Sequence, residues 1–269
     1  MSAFAKLEIP QLQSETPLRI QTLGNFQVWL NGHELGSASW GREKALHLFQ
    51  FFVTVRQSGV YLHKEQIIDR LWPEVELEGG DRDFKVALHT LNKTLEPDRK
   101  PRTEPYFIQR QGLTYGLNLE GVWIDADAFE AFIAAGNQAG PDDPKSAIHC
   151  YQQALALYKG DYLPQRRYED WSSVERERLQ VLALGMMTTL ANLLLESSPL
   201  ESIRLTQRVL TIDPVWEDAY RIQMQAYLSQ GNRPLALRTY QQCVAVLGEE
   251  LGLAPLPETQ QLMEQIKDT

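Results

Sequence analysis

The segment GDRDFKVALHTLNKTLEP, residues 80–97, decides how the first half of the chain is interpreted. With about 100° per residue for a helix that starts at Arg82, the apolar residues fall on one narrow stripe. They are Phe84, Ala87, Leu88, Leu91 and Leu95. The opposite face carries five residues with no acid among them, and we call these the predicted donor face: Arg82, Lys85, His89, Asn92 and Lys93.

Two interpretations of the predicted donor face are open at this point. Any surface helix of a globular protein shows polar residues opposite its apolar stripe. A helix that reads DNA needs an exposed face of long donors and amides, because Arg and Lys pair with guanine or phosphate and Asn pairs with adenine. The elements on either side of the segment favour the second interpretation.

The stretches before this helix change their hydrophobic period. Residues 18–35, LRIQTLGNFQVWLNGHEL, are rich in β-formers with Asn-Gly type turns, and predict a short antiparallel meander. Residues 40–55, WGREKALHLFQFFVTV, and residues 61–74, YLHKEQIIDRLWPE, show helical spacing. The acidic stretch that follows Pro73 is interpreted as a loop leading to the helix that starts at Arg82.

Two β-like runs around Gly112 follow, in YFIQRQGLTYGLNL, residues 106–119. The order is therefore strands, three helices and a hairpin, which is the outline of an α+β winged helix-turn-helix domain. In that fold the third helix enters the major groove, and a hairpin that carries Arg110 and Gln111 near its tip can reach an adjacent groove or the backbone.

The second half of the chain is predicted to be all-α. Tyr227, Ala236, Tyr240 and Cys243 are spaced like the packing positions of a tetratricopeptide (TPR) unit. The same offsets recur one 34-residue repeat earlier, at Leu193, Ser202, Thr206 and Val209. A third, less regular unit comes before that one, at Ala147, Tyr151 and Ala154. A TPR-like helical-repeat domain is favoured over a simple helical bundle.

The charge is unevenly distributed along the 269 residues. The formal net charge is −9, yet basic and acidic residues balance between residues 18 and 124, and the acidity lies after residue 125. A nucleic-acid site therefore belongs in the first half, as a local patch. Residues 1–17 are interpreted as a flexible N-terminal arm rather than a targeting segment.

Several classes of protein are disfavoured. No stretch has the apolar length of a membrane span, and Cys150 and Cys243 are expected to be buried thiols in a reducing cytoplasm. No metal-ligand spacing, phosphate loop, nucleophile elbow or HExxH motif occurs, so we predict no enzyme activity, cofactor or metal. The acidic pairs at Asp125 and Asp127 and at Asp142 and Asp143 are better explained as helix caps.

The quoted segments together resemble a known family. Those from residue 18 to residue 119 are similar to the OmpR-type winged helix, in the form found in bacterial antibiotic-regulatory (SARP) activators. WIDADAFEAF (123–132), LYKGDYLP (157–164) and EDWSSVERERL (169–179) resemble the bacterial transcriptional activator domain that follows it. The resemblance covers roughly residues 18 to 267, and the last two segments are its specific part.

The resemblance implies a four-stranded N-terminal sheet, a three-helix core, a wing and a TPR-like domain. It implies a protein that binds double-stranded promoter DNA, often at direct repeats, and helps to recruit RNA polymerase. By position, the predicted donor face falls on the recognition helix and Arg110 and Gln111 fall in the wing. Arg42 and Lys44 lie near the start of the first helix, where a phosphate contact is implied.

Three positions depart from the family pattern. Thr90 and Asn92 stand where arginines are common, and Gly116 stands where a basic residue is frequent. Each lost phosphate contact reduces affinity and its salt dependence. Homodimers would double the contacts. The alternative is a protein-interaction adaptor whose degenerate winged helix no longer binds DNA specifically.

The sequence therefore predicts a cytoplasmic, sequence-specific DNA-binding transcriptional regulator, most simply an activator, without enzyme activity. We predict the winged helix over residues 18–122 and the TPR-like activator domain over residues 123–269, the latter contacting protein partners.

Overall fold

The computed structural model of the chain describes residues 16–56 and 60–268. The predicted N-terminal arm, residues 1–17, lies outside the described residues except for its last two positions. The described chain has a small-sheet N-terminal region and a helical C-terminal region.

Three strands near the start of the chain form the antiparallel meander that the sequence predicts. β1 (Leu18–Gln21) pairs with β2 (Gln27–Leu30), and β2 pairs with β3 (His33–Glu34). β7 (Val122–Ile124) comes much later in the chain and pairs in parallel with β1. The sheet therefore has four strands in the order β3-β2-β1-β7, so residues on either side of the predicted boundary at 122 share one sheet.

The helices α1 (Glu43–Thr54), α2 (Lys64–Leu71) and α3 (Leu77–Leu95) follow the meander. Of these three helices, α1 lies deepest in the core, because it has apolar residues on more than one side. Phe49, Phe52 and Val53 are each at most 1% exposed. The start of α2 is fixed by a capping box, in which the Gln66 Oε1 accepts a hydrogen bond from the His63 backbone N–H at 3.1 Å.

α3 begins five residues earlier than the sequence analysis predicts. Gly79 and Gly80 suggested a loop, yet both lie within the helix. A Cβ atom at Gly80 would come within 2.5 Å of the Ile68 Cγ2. The glycine is therefore required by the close passage of α3 over α2, and the missing side chain serves packing rather than a break in the helix.

A three-stranded sheet follows α3. β5 (Ile108–Gln111) and β6 (Thr114–Leu117) form the predicted hairpin around Gly112, and β4 (Leu62–His63) pairs with β6. Gly112 adopts a φ of 62°, which a glycine tolerates without strain. Pairing with β4 connects the hairpin to the residues that start α2.

The rest of the described chain is helical. The helices are α4 (Asp125–Ala139), α5 (Pro144–Leu157), α6 (Asp170–Leu193), α7 (Pro199–Ile212), α8 (Glu217–Ser229), α9 (Arg233–Leu251) and α10 (Pro257–Asp268). Prolines at the first turns of α7 and α9 suit helix starts, because no intrahelical hydrogen bond is lost there. Within the described residues, no helix is long and apolar enough to cross a membrane.

Small and apolar residues fill the spaces between the C-terminal helices. Tyr220, Cys243 and Leu247 form one buried cluster, and Met224, Ala236 and Ile266 form another. Of the landmarks of the two earlier spacings, Leu193 is half-buried and the others are buried: Ala147, Tyr151, Ala154, Ser202, Thr206 and Val209. These are the positions at which neighbouring helices approach each other.

The described chain divides into two compact units. One contains the described residues up to Ala128 together with Leu157–Leu179, and the other contains Phe129–Ala156 and the described residues from Gln180 onward. The predicted division at residues 122 and 123 stays a prediction, since compact units and evolutionary domains need not coincide. The first unit is assembled from two separate stretches of sequence.

Candidate nucleic-acid interface

One face of α3 is exposed along most of its length. From Arg82 onward five residues of this face are exposed, and we call them the α3 stripe: Arg82, Lys85, Val86, His89 and Lys93. The exposed acid Glu78 lies on the same face one turn before Arg82. Four of them belong to the predicted donor face, and Val86, which is 37% exposed, is a residue that the sequence analysis missed. The predicted core stripe is buried on the other side, except that Leu88 is only half-buried. The α3 stripe therefore offers charged and apolar side chains together.

Asn92 does not belong to the exposed face, which corrects the sequence analysis. It is only 6% exposed, and its side-chain Oδ1 has no hydrogen-bond partner among the described residues. The reason is helical geometry, because Asn92 lies one turn after the half-buried Leu88 and shares its side of α3. A direct contact between Asn92 and adenine is therefore not available in this conformation.

The polar face is also not free of acids. The Asp81 carboxylate lies 2.8 Å from the Lys64 Nζ and 2.5 Å from the Lys85 Nζ, so it connects α2 with α3. Hydrogen bonds from these two lysines hold the pKa of Asp81 below its usual range. The hydrogen bond that Lys64 donates to Asp81 in turn raises the pKa of Lys64. The earlier start of α3 explains the error, since Asp81 is a helical residue one turn before Lys85.

The start of α1 adds two cations, as the resemblance implies. The Lys44 ammonium forms an ion pair with Asp83 and lies 5.8 Å from the centre of the Trp72 ring. This pairing lowers the pKa of Asp83. Arg42 is exposed at the N-cap of α1. Lys44 and Arg42 thus lie near α3, and Lys44 already has an acidic partner.

The hairpin carries the two predicted wing residues on its exposed side. The Arg110 Nε donates to the Gly112 carbonyl at 2.7 Å, which holds the guanidinium close to the turn, and Gln111 is exposed beside it. The hairpin is anchored to α3 by an edge-to-face contact of Phe84 with Tyr115, whose ring centres are 5.0 Å apart. Gly116 is buried and has no room for a basic side chain, because a Cβ there would lie 3.0 Å from a backbone oxygen.

The cations of this surface fall into two groups. Lys44, Lys64 and Lys85 are paired with acids. Arg42, Arg82 and Lys93 form no hydrogen bond or ion pair through their side chains in the part of the chain that the structure describes. The second group can meet an anionic ligand without first breaking a hydrogen bond or ion pair, although the charges of Arg42 and Arg82 also help to lower the pKa of Asp83.

The two segments that are specific to the family resemblance, residues 157–164 and 169–179, support α1 from the opposite side, a contact that the sequence did not predict. Residues 157–179 of the first unit lie against α1 and β1, and Tyr162 is their main anchor. The Tyr162 hydroxyl, fully buried, lies 2.9 Å from the Thr54 Oγ1, and burial raises the pKa of Tyr162 to about 12. Arg166 donates from its Nε to the Gln50 Oε1 at 2.6 Å and forms an ion pair with Glu43.

A buried cation lies just past the end of α1. The Arg56 side chain is 4% exposed and donates to Asp127 and to the Val53 carbonyl, with Glu175 at 3.8 Å. Burial disfavours the charged guanidinium, and the hydrogen bond from Arg56 to Asp127 outweighs this, so the pKa of Arg56 lies above its ordinary value. A polar residue at position 56 gave no sequence signal of this role.

The Asp125 carboxylate has a structural role. It accepts hydrogen bonds from the Thr22 backbone N–H at 2.7 Å, the Thr22 hydroxyl at 2.6 Å and the Leu23 backbone N–H at 2.9 Å. It also accepts one from the Ala126 N–H at 2.8 Å. Burial raises the pKa of Asp125, and the donors oppose that shift. Asp125 therefore ties the end of β1 to the start of α4, and it is more than the helix cap that the sequence predicts.

No group of three or more metal-binding side chains occurs among residues 16–56 and 60–268. Cys150 and Cys243 are both buried and reduced, and burial raises the pKa of each thiol. Both thiols are therefore poor nucleophiles and poor metal ligands in this structure.

Comparison with known proteins adds family information to this geometry. The model of the bacterial transcriptional activator domain matches residues 124–267, which is more than half of the chain. "Regulatory protein AfsR" of Streptomyces griseus is 24% identical over 251 residues, covering 93% of this chain and 24% of that protein. The chain thus spans about a quarter of the length of this relative.

A solved structure shares the fold. Mycobacterium tuberculosis EmbR, determined in complex with a low-affinity phosphopeptide, superposes with a TM-score of 0.79 at 20% identity. The match covers 94% of this chain and 66% of that one. The similarity therefore extends over both the sheet-containing and the helical regions. These findings confirm the resemblance drawn from the sequence, and the chain belongs to the SARP-type transcriptional regulators that carry a bacterial transcriptional activator domain.

Proposed function

We propose that this regulator binds promoter DNA sequence-specifically, with α3 in the major groove and the β5–β6 hairpin as a wing. The observation that carries this proposal is the α3 stripe, which exposes three cations and one imidazole on a single helical face. A helix in the major groove needs such a face, because base edges and phosphates are read by side-chain donors.

The side chains divide naturally between phosphate and base contacts. Arg82 and Lys93, about 16 Å apart along the helix axis, extend over roughly five base pairs of groove. His89 lies between them, where it can meet a base edge. Arg42 at the start of α1 and Arg110 with Gln111 at the hairpin are placed in this proposal on flanking phosphates or in an adjacent groove.

Within this proposal the N-terminal region is a winged helix over residues 18–122, and the helical region over residues 123–269 is a TPR-like activator domain. The burial of Ala236 and Cys243 between α8 and α9 supports TPR-like packing, because small residues let paired helices approach closely. We propose that this domain contacts protein partners, with RNA polymerase as the partner that the family implies. Homodimers on direct repeats would double the DNA contacts.

One observation favours a second candidate function. Asp81 and Asp83 neutralise three lysines of the surface, which leaves fewer free cations than the sequence suggests. A winged helix with so few phosphate contacts could serve as a protein-interaction adaptor without specific DNA binding. The free cations Arg82 and Lys93 favour DNA binding over this alternative.

The test is a selection of bound fragments from a genomic DNA pool at low and at near-physiological salt. The full chain is compared with the double variant Arg82→Ala/Lys93→Ala. The matched control is Lys145→Ala/Arg204→Ala, which removes the same charge from exposed positions on α5 and α7. We expect a repeated motif with wild type and control, lost in the double variant. Fragments retained without any common motif, or equally by all three proteins, would favour the adaptor.

A further inference from the structure

Val86 is an apolar residue near the middle of the α3 stripe. With about 100° per residue, it lies about 40° from Arg82 and about 60° from His89 around the helix, so all three point in the same direction. The core side of the helix is elsewhere, since Phe84 and Leu91 are at most 1% exposed while Val86 is 37% exposed. Val86 is therefore available to whatever ligand the α3 stripe contacts.

The isopropyl group of Val86 restricts what that contact can be. It has no donor or acceptor, so it contributes only where the ligand also presents an apolar group. In the major groove the base edges offer nitrogen and oxygen atoms and one apolar group, the C5-methyl of thymine. An apolar residue among cations thus indicates one base by its chemistry.

The neighbouring residue that could offer a second methyl group faces another direction. The Thr90 hydroxyl donates to the Val86 carbonyl at 2.9 Å. The Thr90 Cγ2 lies 3.5 Å from the position of a Cβ at Gly41, so this methyl faces the start of α1. Val86 is consequently the exposed apolar group of α3 at this level of the helix.

We infer that Val86 contacts the C5-methyl group of a thymine and so determines part of the DNA sequence that the protein selects. This inference rests on the proposed function and assigns one base of the site. Val86 lies about 6 Å from Arg82 along the helix axis, which places the thymine within about two base pairs of the group that Arg82 contacts.

The experiment uses the full chain and the site found by selection. Each thymine in turn is replaced by deoxyuridine, which lacks only the methyl group, and the affinity is measured by fluorescence anisotropy. At one thymine per half-site we expect deoxyuridine to weaken wild-type binding about fourfold, as for the loss of one buried methyl group. Val86→Ala should bind the thymine and deoxyuridine duplexes equally at that position.

Two further variants make the result specific. Arg82→Ala should bind more weakly and keep its sensitivity to the methyl group, and Val181→Ala, at an apolar position of α6 that is 52% exposed, should behave as wild type. If every thymine can be replaced without loss, or if Val86→Ala keeps the wild-type sensitivity at every position, the inference is wrong while DNA binding stands. If the wild type selects no motif at all, the proposed function fails with it.

Discussion

In the proposed function, Asp81 limits how many lysines are available to the DNA backbone, and its replacement by Asn should strengthen DNA binding. In the structure one carboxylate holds both Lys64 and Lys85. Asn has the same shape but lacks the charge, so both ammonium groups become available to phosphate. We expect Asp81→Asn to bind more tightly at low salt and to depend more steeply on salt.

The size of the effect follows from counterion release. Each new phosphate contact steepens the plot of log affinity against log salt by about 0.9, and two lysines therefore add at most about 1.8. Between about 50 and 200 mM salt, the variant should lose affinity about 3.5-fold more than wild type for one freed lysine, and about 12-fold more for two. Fluorescence anisotropy titrations at four salt concentrations measure this slope.

The control has the same change in net charge at a different place. Asp69 is exposed on α2 and has no ion pair among the described residues, so Asp69→Asn should leave the slope unchanged. The lowered pKa of Asp81 keeps this carboxylate ionised at neutral pH. The difference in salt slope between Asp81→Asn and Asp69→Asn should therefore be constant from about pH 6 to 8. An equal slope for Asp81→Asn and wild type, with both proteins folded, would refute the electrostatic reasoning.

Three further predictions concern the stability of the first unit, measured by urea unfolding of the full chain. Asp125→Ala should reduce the free energy of unfolding by about 3–5 kcal/mol, because three backbone N–H groups lose their acceptor; a loss below about 1 kcal/mol would contradict the assigned role. Arg56→Met should cost about 1–3 kcal/mol, because Asp127 and the Val53 carbonyl lose their donor, whereas Glu175 keeps its pair with Arg178; unchanged stability would show that these contacts of Arg56 are dispensable. Gly80→Ala should cost about 1–3 kcal/mol through its contact with Ile68, whereas Gly79→Ala meets only the exposed Val75 side chain and should cost less; the reverse order would be inconsistent with this packing.

The spacing of apolar residues along the sequence was sufficient to predict the order of the helices and the buried side of α3. Phe84, Leu91 and Leu95 recur at helical spacing, and a helix with that pattern buries them whatever its partner. The hairpin was predictable for a similar reason, because Gly112 stands between two β-like runs. Local patterns of this kind need no knowledge of the neighbouring elements.

The finer features of the surface depend on tertiary packing. Asn92 is polar and lies at the border of the apolar stripe, and its burial is decided by what packs beside α3. The pairing of Asp81 with Lys64 joins residues of two helices, which a single-helix projection does not relate. The support of α1 by Tyr162 joins residues more than a hundred positions apart, and no local period records such a contact.

The division of the first unit between two stretches of sequence has a consequence for protein synthesis. Ribosomes release the chain from its N-terminus, so residues up to Ala128 emerge well before Leu157–Leu179, which complete their packing. At about 5–20 residues per second, the delay of about fifty residues lasts several seconds. During that interval the Thr54 face of α1 lacks Tyr162, and the nascent chain exposes apolar surface that chaperones recognise. A translation product that ends before Leu157 would therefore keep the Thr54 face of α1 without its cover.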